Sequence, residues 1–215
     1  MGYDTPLSVR VWGDWACFTR PEMKVERVSY PVMTPSAARG ILEAIFWKPE
    51  FTWRIEEIWV LRPIRYFSIL RNEVNTRQSH RAAQEWERTG GGYVAAEDRA
   101  QRHTLALRDV AYIIHAFPIP KPGAADAAKY RDQFRRRVDR GQCFSRPYLG
   151  CREFSAWFGP VEGTEQPVPM TADLGRMLYD LEHPTGKSGS AQPRFFHARL
   201  DAGILRVPLR PDTEE

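Results

Sequence analysis

Two amphipathic helical segments, each lying between strand-like segments, restrict the folds open to this chain. The first is predicted to begin at Thr34, a good N-cap that is followed by Pro35 at the first helical position, and to end by Pro49. The second is predicted within residues 123–140, where an apolar stripe lies opposite an arginine-rich side and Gly141 ends the helix. Both segments are therefore expected to bury one face and expose the other.

Strand patterns flank both helices. Residues 7–12 alternate between apolar and polar, as a half-buried strand does. Residues 51–63 also alternate, with a change of phase near Glu57 that predicts a bulge. Residues 110–119 are typical of a buried strand, and residues 148–158 are a candidate fourth strand. The resulting order, β-α-β-insertion-β-α-β, predicts an α+β fold with a ferredoxin-like domain, the pattern shared by RNA-recognition modules.

Two further segments lie outside this unit. Residues 71–104 are polar and are predicted to be a long irregular insertion, a kind of segment that is usually functional or mobile. Residues 159–215 are proline-rich and are predicted to form a small β-sheet domain. Its short strand candidates are residues 174–179, 194–199 and 204–207. The chain is thus predicted to have two domains, residues 1–158 and 159–215.

Composition argues against several classes of protein. No run of 18 apolar residues predicts a membrane span, and the N-terminus lacks a signal-peptide core, so we expect a cytoplasmic protein. Three cysteines without CxxC spacing predict neither a disulfide framework nor a zinc site, and Cys143 and Cys151 are expected to be small buried residues. The five histidines form no metal-ligand pattern: His80, His103, His115, His183 and His197. We expect chemistry without a metal or cofactor.

The charge of the chain favours a nucleic-acid partner. Lys and Arg number 31 against 27 Asp and Glu, and most of the cations are arginine, interleaved with seven Trp and eight Tyr. Guanidinium groups fork onto phosphates and aromatic rings stack on bases. Some of these cations have plainer alternatives, since the run at residues 135–137 could be a solvated helix face and Arg152 could pair with an acid near Glu153. The candidate RNA contacts are Arg20, Lys24, Arg27, Lys48, Arg136, Arg146 and Arg152.

Three stretches of sequence together resemble a known family. They are "WGDWACFTRPEMKVERVSYPVMTPSAARGILEAIFWKPEF", "QRHTLALRDVAY" and "GQCFSRPYLGCREF". The chain is similar in these stretches to the fifth family of CRISPR-associated proteins, subtype I-C, in the RAMP superfamily. The resemblance implies a ferredoxin-like core followed by a small β domain. It also implies metal-independent cleavage of CRISPR precursor RNA within its repeat, and retention on the 5′ handle as a subunit of the subtype I-C interference complex.

The resemblance further implies a reaction and its residues. The 2′-hydroxyl attacks its own 3′-phosphate and leaves a 2′,3′-cyclic phosphate and a free 5′-hydroxyl. Studied relatives pair a Tyr near the end of the first helix with a Lys-His at the start of the second, and the matching positions here are Phe46, Lys129 and Tyr130. Lys129 is then expected to stabilise charge on the phosphorane. Tyr130 is expected to position the phosphate or donate a proton, and Phe46 has no proton to give.

Other assignments stay open on the sequence. His115 is an alternative base with a suitable intrinsic pKa, although it shares a strand face with apolar residues and a buried, satisfied histidine is the plainer reading. His103 lies near the end of the insertion and could approach RNA. Two other functions also remain: a non-catalytic subunit that binds the 5′ handle, and a general nucleic-acid binder that contacts duplex DNA non-specifically.

Overall fold

A computed structural model describes residues 5–76, 78–182 and 191–212. These residues form three helices, α1 (Pro35–Ile45), α2 (His80–Thr89) and α3 (Ala127–Asp139). The same residues form nine strands: β1 (Leu7–Ala16), β2 (Arg27–Val28), β3 (Phe51–Val60), β4 (Tyr66–Val74), β5 (Arg99–Pro120), β6 (Trp157–Gly159), β7 (Ala172–Glu182), β8 (Gln192–Asp201) and β9 (Ile204–Arg206).

The predicted ferredoxin-like unit is confirmed. Strands β6, β1, β5 and β3 lie side by side in that order, and every neighbouring pair is antiparallel. The chain reaches these strands in the order β1, β3, β5, β6, with α1 after the first and α3 after the third. Both helices pack on one face of this sheet, where Phe134 of α3 meets Trp53 of β3 at a ring distance of 4.8 Å. The helices and sheet thereby enclose the hydrophobic core.

Helix α1 begins where its cap predicts. The Thr34 hydroxyl accepts a hydrogen bond from the Ala37 N–H at 3.2 Å, and Pro35 is the first helical residue. The helix ends earlier than Pro49, because Phe46 turns into an extended conformation with φ −152° and ψ 118°. The N–H of Phe46 still donates to the Leu42 carbonyl at 2.8 Å. The end of α1 is therefore set by the path of the chain into β3 and not by the proline.

The change of phase predicted near Glu57 is also confirmed. The pairing of β3 with β5 shifts register between Ile55 and Glu57, as a β-bulge does. Before the bulge Trp53 points into the core, and after it Ile58 does so. The extra residue keeps the apolar side chains of β3 on one face.

The prediction of an irregular insertion over residues 71–104 is wrong. Strand β4 pairs with the first part of β5 along its whole length, from Tyr66 opposite Leu107 to Val74 opposite Arg99. Helix α2 lies between the two strands, capped by a Ser79 hydroxyl that accepts from the Ala82 N–H at 3.1 Å. None of the residues of α2 is buried. The hairpin formed by β4 and the first part of β5 shows no regular alternation of apolar and polar residues in the sequence, because much of its surface is exposed to solvent.

The fourth strand is shorter and later than residues 148–158. Residues 148–156 form a loop with one isolated bridge, between Tyr148 and Ser155, and within residues 148–159 only β6 pairs with β1. Gly150 has φ +85°, which an extended strand does not allow. The residues were predicted as a strand because their aromatic and apolar content is similar to that of one.

The C-terminal strands lie close to their predicted positions as β7, β8 and β9. Strand β9 pairs with β3, so the complete sheet has the order β6-β1-β5-β3-β9-β8-β7. Parallel pairing of β2 with β5 and antiparallel pairing of β4 with β5 complete the sheet. The C-terminal strands thus extend the sheet of the ferredoxin-like unit, and the division into residues 1–158 and 159–215 stays a prediction.

The cysteines and histidines differ in part from expectation. Cys151 and Cys17 are buried, but Cys143 is exposed, so the prediction that Cys143 is buried is wrong. Cys143 lies in the loop that crosses the end of α1, where no element covers it.

His183 lies outside the described residues. Within those residues, no group of three or more His, Cys, Asp and Glu side chains is arranged to hold a metal, and no helix is long and apolar enough to cross a membrane.

Candidate functional site

The three positions matched to catalytic residues do not all face solvent, but they meet at one place. Phe46 follows α1, and Lys129 and Tyr130 lie in the first turn of α3. Phe51, the first residue of β3, connects them: its ring lies 5.5 Å from that of Phe46 and 4.8 Å from that of Tyr130. The end of one helix, the start of the other and the turn into β3 therefore form one corner of the molecule.

Tyr130 has a buried ring and a hydroxyl that reaches the edge of this corner. Only 1% of the residue is exposed. The hydroxyl donates a hydrogen bond to Oε2 of Glu50 at 2.8 Å. Burial raises the pKa of Tyr130, and the hydrogen bond to the Glu50 carboxylate raises it further. Tyr130 is thus a neutral hydrogen-bond donor at physiological pH and cannot act as a base there.

Lys129 lies beside Tyr130 but points into solvent. It is exposed in the first turn of α3, where the helix dipole favours negative charge. Asp126 caps the same end, accepting from the Ala128 N–H at 3.3 Å. An anion near Lys129 would be attracted by both the ammonium group and the end of the helix.

Two further lysines lie near Glu50, and with Lys129 they form what we call the basic rim: Lys48, Lys121 and Lys129. The Lys121 N–H donates to the carbonyl of Glu50 at 2.9 Å, and Lys48 precedes Glu50 by two residues. All three side chains are exposed. In the part of the chain that the structure describes, no carboxylate lies within ion-pairing distance of any of the three ammonium groups. The rim therefore offers uncompensated positive charge to an anion.

Phe46 is part of the core at this corner. Its exposed fraction is 1%, and the Arg137 guanidinium lies 5.4 Å from the centre of its ring. Arg137 also donates to the carbonyl of Ile45 at 2.8 Å, and the N–H groups of Phe144 and Ser145 donate to the carbonyl of Ala44. These donors satisfy the last carbonyls of α1. Phe46 thus supports the corner by packing.

The structure does not bring His115 to this corner. Because Trp53 packs on α3 and is paired with Pro118, the side chains of Pro118 and Ala116 share the helix-facing side of the sheet. The adjacent His115 therefore points to the opposite side. There its Nδ1 lies 2.8 Å from the Ser8 hydroxyl, and its ring lies 4.8 Å from that of Trp59.

Acid should destabilise the protein in part through His115. Burial lowers the pKa of His115 from its ordinary value of 6.5, opposed by the charge of Glu57. The stability that depends on the neutral ring is then complete above about pH 6.5 and is lost as the pH falls through the lowered pKa. We expect the thermal unfolding midpoint to fall between pH 7 and pH 5, and to fall less in His115→Gln. The exposed His103→Gln variant should show the full fall, and an equal fall in both variants would contradict the assignment.

His103 also lies apart from the corner. It belongs to the part of β5 that pairs with β4, and its side chain is exposed. Its backbone N–H donates to Oε2 of Glu26 at 2.5 Å. His103 is therefore a surface residue of the hairpin.

A second group of predicted RNA contacts lies near the end of β1. Arg20 stacks over the ring of Tyr30 at 4.4 Å, and Lys24 is exposed nearby in the chain. Arg27 is occupied by two carboxylates, Glu73 at 3.3 Å and Glu153 at 3.1 Å. Much of its charge is therefore compensated within the protein.

The remaining predicted cations are exposed at three places. Arg152 is free to face solvent, since Glu153 contacts Arg27 and Arg71 instead. Arg146 lies 5.2 Å from the Trp157 ring, next to the loop that caps α1 and hence on the same side as Lys48. Arg136 is exposed on α3.

Sequence reasoning missed three residues of the corner: Glu50, Lys121 and Arg137. Glu50 and Lys121 meet because β3 pairs with β5, with Phe51 opposite Pro120. Local sequence patterns do not report that pairing. Arg137 belongs to the run of arginines at residues 135–137. Its position on the apolar side of α3 indicates contact with the core and not with solvent.

Comparison with known proteins gives the same family from a family model and from two relatives. A model of the family described as CRISPR-associated protein (Cas_Cas5), Cas_Cas5d, matches residues 7–208. A protein of Thermus thermophilus named CRISPR pre-crRNA endoribonuclease Cas5d is 47% identical over 94% of this chain and 91% of that relative. A protein of the same name from Mannheimia succiniciproducens is 44% identical over 94% of each chain.

A solved structure supports the fold. It is described as a CRISPR-associated protein, and it superimposes with a TM-score of 0.68 over 96% of this chain and 94% of its own. Its sequence identity of 23% makes it evidence for the fold alone.

Proposed function

This chain belongs to the Cas5d family of CRISPR-associated proteins, and we propose that it is an endoribonuclease that cleaves CRISPR precursor RNA within its repeat. Relatives 47% and 44% identical are named for that activity. The observation in the structure that carries the proposal is the basic rim beside the Tyr130–Glu50 hydrogen bond. Unpaired ammonium groups next to an oriented hydrogen-bonding pair suit an RNA phosphate and its neighbouring ribose.

The proposed reaction uses the RNA's own nucleophile. The 2′-hydroxyl attacks the adjacent phosphate, and the products are a 2′,3′-cyclic phosphate and a 5′-hydroxyl. Lys129 stabilises the negative charge that develops on the phosphorane. Tyr130 remains protonated and orients polar groups at the corner. Holding ribose and phosphate in line supplies a large part of the rate.

We further propose that the protein keeps the 5′ handle after cleavage and serves as a subunit of the subtype I-C interference complex. Cations on two sides of the molecule support a bound strand. Lys48 and Arg146 are exposed near the end of α1. Near the end of β1 lie the exposed Arg152 and the half-buried Arg20, which is 3.7 Å from the carboxylate of Glu22. Arg20 and Arg146 each lie over an aromatic ring, which holds the guanidinium in place for a phosphate or a base.

One observation favours a second function, a handle-binding subunit that does not cut. Phe46 stands where relatives have a tyrosine, and its ring is buried without any ionisable group. If that tyrosine were indispensable, this chain would bind RNA and leave cleavage to another protein.

Cleavage of repeat RNA in EDTA separates these functions. We expect the purified protein to cut the CRISPR repeat RNA encoded beside its own gene, giving a cyclic phosphate end. A 2′-deoxy substitution at the cut site should abolish cutting and leave binding intact. Tight binding without any cleavage would contradict the nuclease proposal and support the handle-binding subunit. Equal affinity for unrelated duplex DNA over a salt titration would instead indicate a general nucleic-acid binder.

A further inference from the structure

The Glu50 carboxylate is an acid in the middle of a basic surface. It lies in the turn between α1 and β3, exposed, with Lys48 before it and the Lys121 backbone bonded to its own. Across the described part of the chain, no Lys, Arg or His lies within ion-pairing distance of Glu50. Its side-chain hydrogen bond comes from the Tyr130 hydroxyl. A negative charge at an RNA-binding surface repels phosphates, so the carboxylate of Glu50 does not favour RNA binding by itself.

The corner lacks another suitable base. Phe46 has no ionisable group, Tyr130 has a raised pKa and is protonated, and His115 lies on the opposite side of the sheet. A general base must be able to accept a proton and be accessible to the RNA, and the exposed carboxylate of Glu50 suits that role.

The other nearby carboxylates are engaged. Asp126 accepts the N-terminal hydrogen bond of α3, and Asp132 lies 3.6 Å from Arg135. Glu43 is bound to Arg39 at 2.9 Å. Glu50 is held by a neutral donor instead, and that bond uses only Oε2. Oε1 therefore keeps its lone pairs for a proton.

We propose that Glu50 is the general base of the cleavage reaction and that Tyr130 positions it; this inference rests on the proposed function. Glu50 takes the proton of the 2′-hydroxyl as the O2′–P bond forms. The P–O5′ bond then breaks, and O5′ leaves with a proton from the Lys129 ammonium group. Glu50 then gives the proton it gained to water, and Lys129 takes one up from water. Protons and charges therefore balance over one turnover.

The first test is Glu50→Gln, assayed on the CRISPR repeat RNA encoded beside the protein's own gene. The amide oxygen can still accept from Tyr130, so the packing of the corner should persist. Loss of a general base lowers the rate by about 10²–10⁴-fold. We expect a fall of that size in the single-turnover cleavage rate, with RNA binding unchanged or tighter because a negative charge is lost. Glu56→Gln, at a surface glutamate of β3 that lies 3.7 Å from Arg54, is the matched control and should cut normally.

A pH profile distinguishes a Glu50 that acts as the base from a Glu50 that only holds Tyr130 in place through their hydrogen bond. With a carboxylate base, cleavage should be undiminished at pH 6, where a histidine base, with its ordinary pKa near 6.5, would be mostly protonated. Glu50→Asp should recover part of the rate lost in Glu50→Gln. Cleavage by Glu50→Gln at the normal rate, or a rate that halves near pH 6.5, overturns the assignment of Glu50 alone. Absence of cleavage by the unaltered protein overturns the proposed function together with this inference.

Discussion

Lys129→Ala is expected to reduce the cleavage rate by about 10²–10³-fold, the usual cost of removing one group that stabilises developing negative charge. Lys129 is exposed in the first turn of α3, and no described carboxylate neutralises it. Ground-state binding should change much less, because a single phosphate contact is lost among several. The slope of log affinity against log salt should fall by about one unit. The measurement is single-turnover cleavage of repeat RNA together with a binding titration at several salt concentrations.

Two further variants separate chemistry from simple loss of charge. Arg199→Ala removes one exposed positive charge from β8, outside the corner, and should cut at the normal rate. Lys129→Arg keeps the charge but does not readily give up a proton, so it should retain only the part of the activity that depends on charge stabilisation. Lys129→Ala with normal cleavage, or with a loss of binding as large as the loss of rate, would contradict a role in the transition state.

The cations illustrate why an electrostatic prediction from sequence is incomplete. From the sequence alone, every arginine is a candidate RNA contact. In the folded chain, however, Arg27 forms ion pairs with Glu73 and Glu153. Arg137 likewise lies over Phe46 and caps α1. Partners so far apart in the chain are brought together only by the sheet. The uncompensated cations at the corner are lysines, of which Lys121 carried no signal in the sequence.

The fold was predictable where local physics determines it. The Thr34 cap, the apolar stripe of α1 and the bulge near Glu57 each depend on residues close in sequence, and each was found. The hairpin of β4 and β5 was not found, because an exposed hairpin needs no alternation of apolar side chains. Its strands are held by backbone pairing over residues 66–74 and 99–107.

The candidate site was predictable only in part, for a similar reason. Lys129 and Tyr130 were identified by resemblance to a family. The hydrogen bond from Tyr130 to Glu50 joins residues 80 positions apart, so it depends on the register of β3 against β5 and on the position of α3. Propensity and periodicity carry no information on such a contact.

Gly150→Ala is expected to cause a large loss of stability. Gly150 has φ +85°, and a methyl group built on it would collide with the backbone carbonyl of Cys17 and lie 3.0 Å from the N–H of Phe18. The collision is with backbone that is itself fixed, since the Cys17 N–H donates to the carbonyl of Leu149 at 3.0 Å and both residues are fully buried. The residues have no room to move apart without breaking this bond.

The expected cost has two parts, and a second glycine isolates one of them. The left-handed conformation costs a non-glycine residue about 1–2 kcal/mol, and overpacking against the backbone adds about 1–3 kcal/mol. Gly163 has φ +83° but nothing within 4 Å of the added methyl group, so Gly163→Ala should incur only the first cost. Urea unfolding of the two variants should therefore differ by about 1–3 kcal/mol, with Gly150→Ala less stable. Equal stabilities would show that the loop of residues 148–156 can leave β1 without loss. That result would also remove the fixed link between the end of β1 and Arg152, which the handle-binding surface requires.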